Sequence, residues 1–247
     1  MPDWIGQSVQ NNPFKGILLM NLAMFLLAGM DGITKTLAAD YAVPQILSIR
    51  FLIFCLFALA VARPKSFRQA FRSKHPYLQI TRSLIIVIEV GVFIIAFRHL
   101  PLADAHAIAG IAPLLVTALA VPFLGERVGA RRWGAIAIGF LGLLVIVRPG
   151  IGIFDPTALI PLAGASLWAI YQILMRKVSD DSAATSLLYM AVTGAVVMTI
   201  LAPFFWQPPD TTGWLLLISL GVVGSLGHYI LIEAFKAAPA STLQPFH

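Results

Sequence analysis

Eight apolar runs, each close to the length of a membrane span, follow one another along this chain and are divided by short segments that hold most of its charge. A helix needs roughly 20 apolar residues to cross about 30 Å of hydrocarbon. Few folds are open to such a chain, because backbone amides find no water in lipid and each run must close its hydrogen bonds internally. The expected fold class is all-α, a polytopic transmembrane helical bundle. The runs fall at 16–38, 44–62, 80–97, 103–124, 133–147, 157–175, 185–205 and 214–235. A soluble fold is excluded by composition: 11% of residues are charged and 59% hydrophobic, with mean hydropathy +0.87, where a soluble domain carries about 25% charged side chains.

The formal charge of +6 does not point to nucleic acid, since the basic residues lie beside apolar runs and no aromatic-basic binding module is present. They report orientation instead. With a cytoplasmic N-terminus, that side holds Lys15, Arg63, Lys65, Arg68, Arg72, Lys74, Arg82, Arg127, Arg131, Arg132, Arg176, Lys177 and Lys236. Only Arg98 and Arg148 fall on the other side, as expected for translocated loops. Cys55, the single cysteine, lies inside a run and reads as a packed thiol. Met1 to Phe14 is polar and the first run is long enough to stay in the membrane, so no cleavable signal peptide is expected.

The chain resembles itself. Ala96-Phe97-Arg98-His99-Leu100-Pro101 has a counterpart in Ala234-Phe235-Lys236-Ala237-Ala238-Pro239, and Asp40 has one in Asp181 at a similar offset. The reading is two five-helix units, 1–148 and 149–247, inverted relative to one another because each has an odd number of spans. On that plan about eight of ten expected spans are present, the second unit being truncated after its third helix.

Pro122-Phe123-Leu124-Gly125-Glu126-Arg127, followed by the glycine-rich Trp133-Gly134-Ala135-Ile136-Ala137-Ile138-Gly139-Phe140-Leu141-Gly142, resembles the end of the first repeat in the EamA family of the drug/metabolite transporter superfamily. The resemblance extends along the whole chain. It implies a ten-helix inner-membrane carrier, usually an exporter of amino acids or other metabolites, with a central cavity lined mainly by helices 1, 3, 4, 6, 8 and 9. Riboflavin, S-adenosylmethionine and xenobiotics are also compatible with it.

Ionisable groups inside a span cost several kcal/mol and normally face a cavity or a partner. Asp31 and Lys35, spaced i,i+4, share a face and can pair, either as a structural bridge or to hold a charged solute. Arg50 lies at nearly the depth of Asp31 and reads as its partner or as a ligand group. Glu89, near the middle of its run, reads as a solute-binding or proton-coupling carboxyl. His106 and His228 suit a proton relay, though a histidine bonded across a helix interface is the commoner case. Trp168, Tyr171, Gln172 and Tyr229 offer stacking area and hydrogen bonds, or simple packing. Trp214 reads as an interface anchor, and Glu126 as part of an ion-paired loop. Gly134, Gly139, Gly142, Gly221, Gly224 and Gly227 suit close helix approach, and Pro113, Pro122 and Pro161 mark bending points.

These features favour a secondary transporter working by alternating access, with a small organic solute and the lipid bilayer as partners; homodimerisation is left open. An enzyme, a metal site or a cofactor would need a constellation that the sequence lacks. The alternative is a non-transporting membrane partner or an inactive fragment of such a carrier.

Overall fold

The structure, a computed structural model, describes residues 12–62, 71–124, 129–147, 156–178, 181 and 183–237. Among these residues it is helical with no strand: α1 (Pro13–Asp40), α2 (Val43–Ala62), α3 (Pro76–His99), α4 (Leu102–Ala109), α5 (Ala112–Leu124), α6 (Ala130–Val147), α7 (Leu159–Lys177), α8 (Ala183–Leu201) and α9 (Thr211–Ala237). Seven stretches among the described residues are long and apolar enough to cross a membrane, α4 and α5 together forming one of them. α6 stands where the fifth run was expected. The chain is a multi-pass helical membrane protein. The Gly125-Glu126-Arg127 turn, Arg148 and Pro239 to His247 lie outside the described residues.

Helix starts follow local chemistry. The Asn12 side chain accepts from the Lys15 amide at 3.0 Å, and proline opens both α1 and α3, where its missing N–H would have had no partner. The fourth run is not the continuous helix expected. It breaks at Gly110 and Ile111, because Pro113 lacks an N–H for the Ala109 carbonyl; Leu115 closes the next turn on Ile111 at 3.1 Å. Pro161 is not a bend either. It lies in the first turn of α7, after the short 3-10 turn Pro156–Ala158, where no helical hydrogen bond is lost.

The most extensive pairings are α1 with α9, α2 with α8 and α3 with α7. Asn12 N donates to Ala237 O at 3.2 Å, so α1 begins where α9 ends. Small residues bring the helices together: a Cβ on Gly194 would stand 2.5 Å from Phe51, and one on Gly221 2.6 Å from Ile53. The expected close approach is found at Gly139, Gly221, Gly224 and Gly227, whereas Gly134 and Gly142 have no neighbour within 4 Å among the described residues. The core joins Met30 and Leu37 of α1 to Ile46, Leu47 and Phe51 of α2, Val87 and Ile94 of α3, Met198 of α8, and Leu217 and Leu220 of α9.

The outside of the bundle is apolar, with Phe25, Leu56, Ile138 and Val145 exposed, while Thr34, Gln45, Ser48, Gln79, Arg82, Ser83 and Glu89 are buried. That distribution suits a lipid solvent and a polar interior. Trp206 and Trp214 meet at 6.2 Å at the start of α9, as expected of an interface anchor.

Candidate functional site

Ionisable side chains from separate helices are coupled, Glu89 buried and His106 53% exposed. Asp31 of α1 meets His106 of α4, Oδ2 to Nε2, at 3.1 Å. Arg50 of α2 lies in the field of both Asp31 and Glu89, and Glu89, on α3, is 7% exposed. His228 of α9 feels Arg50 and Asp31; one ring nitrogen contacts the Gly224 carbonyl at 2.8 Å, and its ring lies 6.1 Å from Phe54. Within this set Asp31 and His106 are in contact, while Arg50, Glu89 and His228 are coupled to it through their charges.

The expected Asp31–Lys35 pair does not form. Lys35 Nζ donates instead to the Leu100 carbonyl at 2.7 Å, one of the last carbonyls of α3, which have no amide of their own to accept from. A long flexible ammonium reaches that helix end more readily than it shares a face with a carboxylate already held by His106.

Trp168 stacks on Tyr171, centroids 5.4 Å apart at 30°, and Tyr171 lies in the field of Glu89. Gln172 is half-buried beside them on α7. Tyr229 stands apart from the charged cluster, edge-on to Phe57 at 5.9 Å, and is 36% exposed. It packs as an outward-facing aromatic.

The structure adds residues that sequence reasoning missed. Arg82, which the sequence places on the cytoplasmic side, is 1% exposed and donates to Tyr171 Oη at 3.1 Å, Gln79 Oε1 at 2.8 Å and the Ser186 carbonyl at 2.9 Å. Gln79, Arg82, Ser83 and Ile86 form a buried stripe at helical spacing, a pattern that could have signalled an inward polar face. At the opposite end Arg98 donates to the Ala38 and Tyr41 carbonyls, beside a cavity of about 530 Å³ lined by Lys35, Tyr41, Arg98 and Gln207. No group of His, Cys, Asp and Glu among the described residues could hold a metal ion.

Comparison with known proteins sets this geometry in context. A family model described as EamA-like transporter family matches residues 14–148. A riboflavin transporter of Vibrio cholerae is 28% identical over 244 residues, covering 97% of this chain and 82% of that protein. An S-adenosylmethionine uptake transporter of Rickettsia felis is 27% identical over 233 residues, covering 92% and 79%. The pseudopaline exporter CntI of Pseudomonas aeruginosa is 27% identical over 231 residues, covering 92% and 80%. These relatives are named as transporters, and their names span uptake and export.

Proposed function

Because the chain belongs to the EamA-like transporter family, we propose that it is an inner-membrane secondary transporter for a small, amino acid-like organic solute, working by alternating access with its N-terminus in the cytoplasm. The observation that carries this reading is the set of ionisable residues within the spans: Asp31 bonded to His106 at 3.1 Å and Glu89 buried at 7% exposure, with Arg50 coupled to both carboxyls. Ionisable groups at that depth cost several kcal/mol unless they meet opposite charge. Asp31 is already bonded to His106, which leaves Glu89 to be matched by Arg50, a proton or a solute cation. A solute ammonium, or a proton on Glu89 when no solute is bound, meets that acid, while Arg50 receives a solute carboxylate.

Among the solutes for which relatives are named, S-adenosylmethionine has this pattern of charge, and its planar ring suits the Trp168–Tyr171 pair. The pairing of α1 with α9, α2 with α8 and α3 with α7 supports two inverted units, 1–148 and 149–247. It matches the first helix of one unit with the third of the other, and second with second, as a two-fold axis in the membrane plane requires.

The test is counterflow exchange in proteoliposomes with a panel of radiolabelled amino acids, S-adenosylmethionine and riboflavin. Glu89→Gln, with wild-type amounts of protein in the membrane, is expected to slow exchange of the favoured solute by about tenfold or more, equivalent to about 1.4 kcal/mol, or to remove its dependence on a pH gradient. Unchanged rate with unchanged pH dependence removes Glu89 from the mechanism. Exchange of no member of the panel counts against the amino acid-like solute.

A further inference from the structure

The end of the bundle where α3 begins is tied to α7 and α8 by a polar cluster apart from the site above. Asp181, just beyond α7, accepts from the Ser73 hydroxyl, from the Lys74 amide at 2.9 Å and from Gln79 Nε2 at 2.9 Å. Gln79 Nε2 also donates to Ser186 Oγ at 3.1 Å, while its Oε1 receives Arg82 at 2.8 Å. Arg82 then reaches the Ser186 carbonyl and the Tyr171 hydroxyl. Gln79 is 0% exposed and Arg82 1%, so both side chains are shut off from solvent.

The chemistry of this cluster is costly if it serves only to pack. Arg82 is held by hydrogen bonds from both terminal nitrogens and by the Tyr171 ring at 5.3 Å, but among the described residues it has no carboxylate in ion-pair contact and its Nε has no hydrogen-bond partner, so its burial still carries a desolvation cost. Leucine would fill such a space without that penalty. A seam that must open, by contrast, needs bonds that can be exchanged, and here they can pass between Gln79, Ser186 and Tyr171. Tyr171 also links the cluster to the interior, since it receives Arg82 and lies in the field of Glu89. The opposite end has its own polar ties, among them Arg98 to the Ala38 and Tyr41 carbonyls and Lys35 to the Leu100 carbonyl. There α2 is tied to the α8–α9 segment by uncharged groups, Gln45 Nε2 to Gln207 O at 2.7 Å and Gln207 N to Gln45 Oε1 at 2.9 Å.

We propose that Asp181, Gln79 and Arg82 are the gate at this end of the transport route, closed as described here and opened when Arg82 and Gln79 release Ser186 and Asp181. The proposal rests on the transporter reading and adds to it the residues that set which face is shut. They position helices and do not touch the solute.

The test uses the full chain in lipid vesicles with Cys55→Ala and Ser83→Cys, the new thiol lying one turn behind Gln79 at a 0% exposed position. A membrane-impermeant methanethiosulfonate is presented from the Ser73–Asp181 face and the labelling rate is read by mass. Asp181→Asn makes charge-assisted bonds neutral and is expected to raise the rate about tenfold, and Ser73→Ala about threefold. Asp210→Asn, which alters the cap on Gly213 at the opposite end, leaves the rate unchanged. An unchanged rate in Asp181→Asn, an equal rise in Asp210→Asn, or rises that merely track each variant's fall in Tm overturn the gate. Labelling needs no solute. Failure of panel exchange with the labelling pattern intact strikes the amino acid-like solute and leaves the gate standing, and intact exchange without the labelling pattern strikes the gate alone.

Discussion

Asp181 shows how a single carboxylate can join two parts of a membrane protein. Partial burial pushes its pKa up, but hydrogen bonds from Gln79, Ser73 and the Lys74 amide, with His75 nearby, outweigh burial and hold it below the ordinary carboxylate value. A depressed folded-state pKa gives stability that is complete above the unfolded value, near about 4, and is lost as pH falls through the folded one. The Tm advantage of the wild type over Asp181→Asn is therefore expected to hold steady from about pH 7 to about pH 5 and to shrink below about pH 4. An advantage that grows toward acid contradicts these bonds. Asp31, Arg50, Glu89 and His228 stand out in the sequence because an ionisable group within an apolar run is costly wherever it points, while His106 reads as a residue near the start of its run. The sequence hid Arg82 and Asp181. A cation near the start of a run reads as one that snorkels to the surface, and Asp181 meets Gln79 across a separation of 102 residues that no local pattern encodes.

Helix positions were legible because apolar length is set by bilayer thickness, while helix ends were not. α3 begins at Pro76 and not near Ile80, since the helix continues into the polar interface beyond the apolar stretch that announces it. Packing at the glycines was legible only in part, because spacing does not tell which glycines meet a neighbour. That difference is measurable. Gly221→Ala would place its Cβ 2.8 Å from the Cβ of Ile53, where no side-chain rotation gives relief, and is expected to cost about 1–3 kcal/mol. Gly142→Ala meets nothing within 4 Å among the described residues, and is expected to be neutral or to stabilise by up to about 1 kcal/mol through helix propensity. Thermal unfolding in detergent separates them, and equal Tm values for the two variants would refute the close contact of α9 with α2.

Across the whole molecule the two ends of the bundle carry different loops, and orientation becomes a question of which end a reagent can reach. Tyr77, at the start of α3, is 85% exposed, and Pro208, before α9, is exposed at the opposite end. In a Cys55→Ala background an impermeant maleimide is expected to label Pro208→Cys in intact cells and Tyr77→Cys only after permeabilisation; the reverse pattern inverts the topology. The same helix pairing bears on how the protein is made. Phe51 and Ile53 of α2 pack against Gly194 of α8 and Gly221 of α9, and at 5–20 residues per second the ribosome delivers Gly221 roughly 10 to 30 s after Ile53. During that interval α1, α2 and α3 stand in lipid without their main partners. Attraction of Arg50 to Asp31 and Glu89 then lets the first three spans keep their charges company, so residues proposed to meet a solute would also shelter the unfinished half of the protein in the membrane.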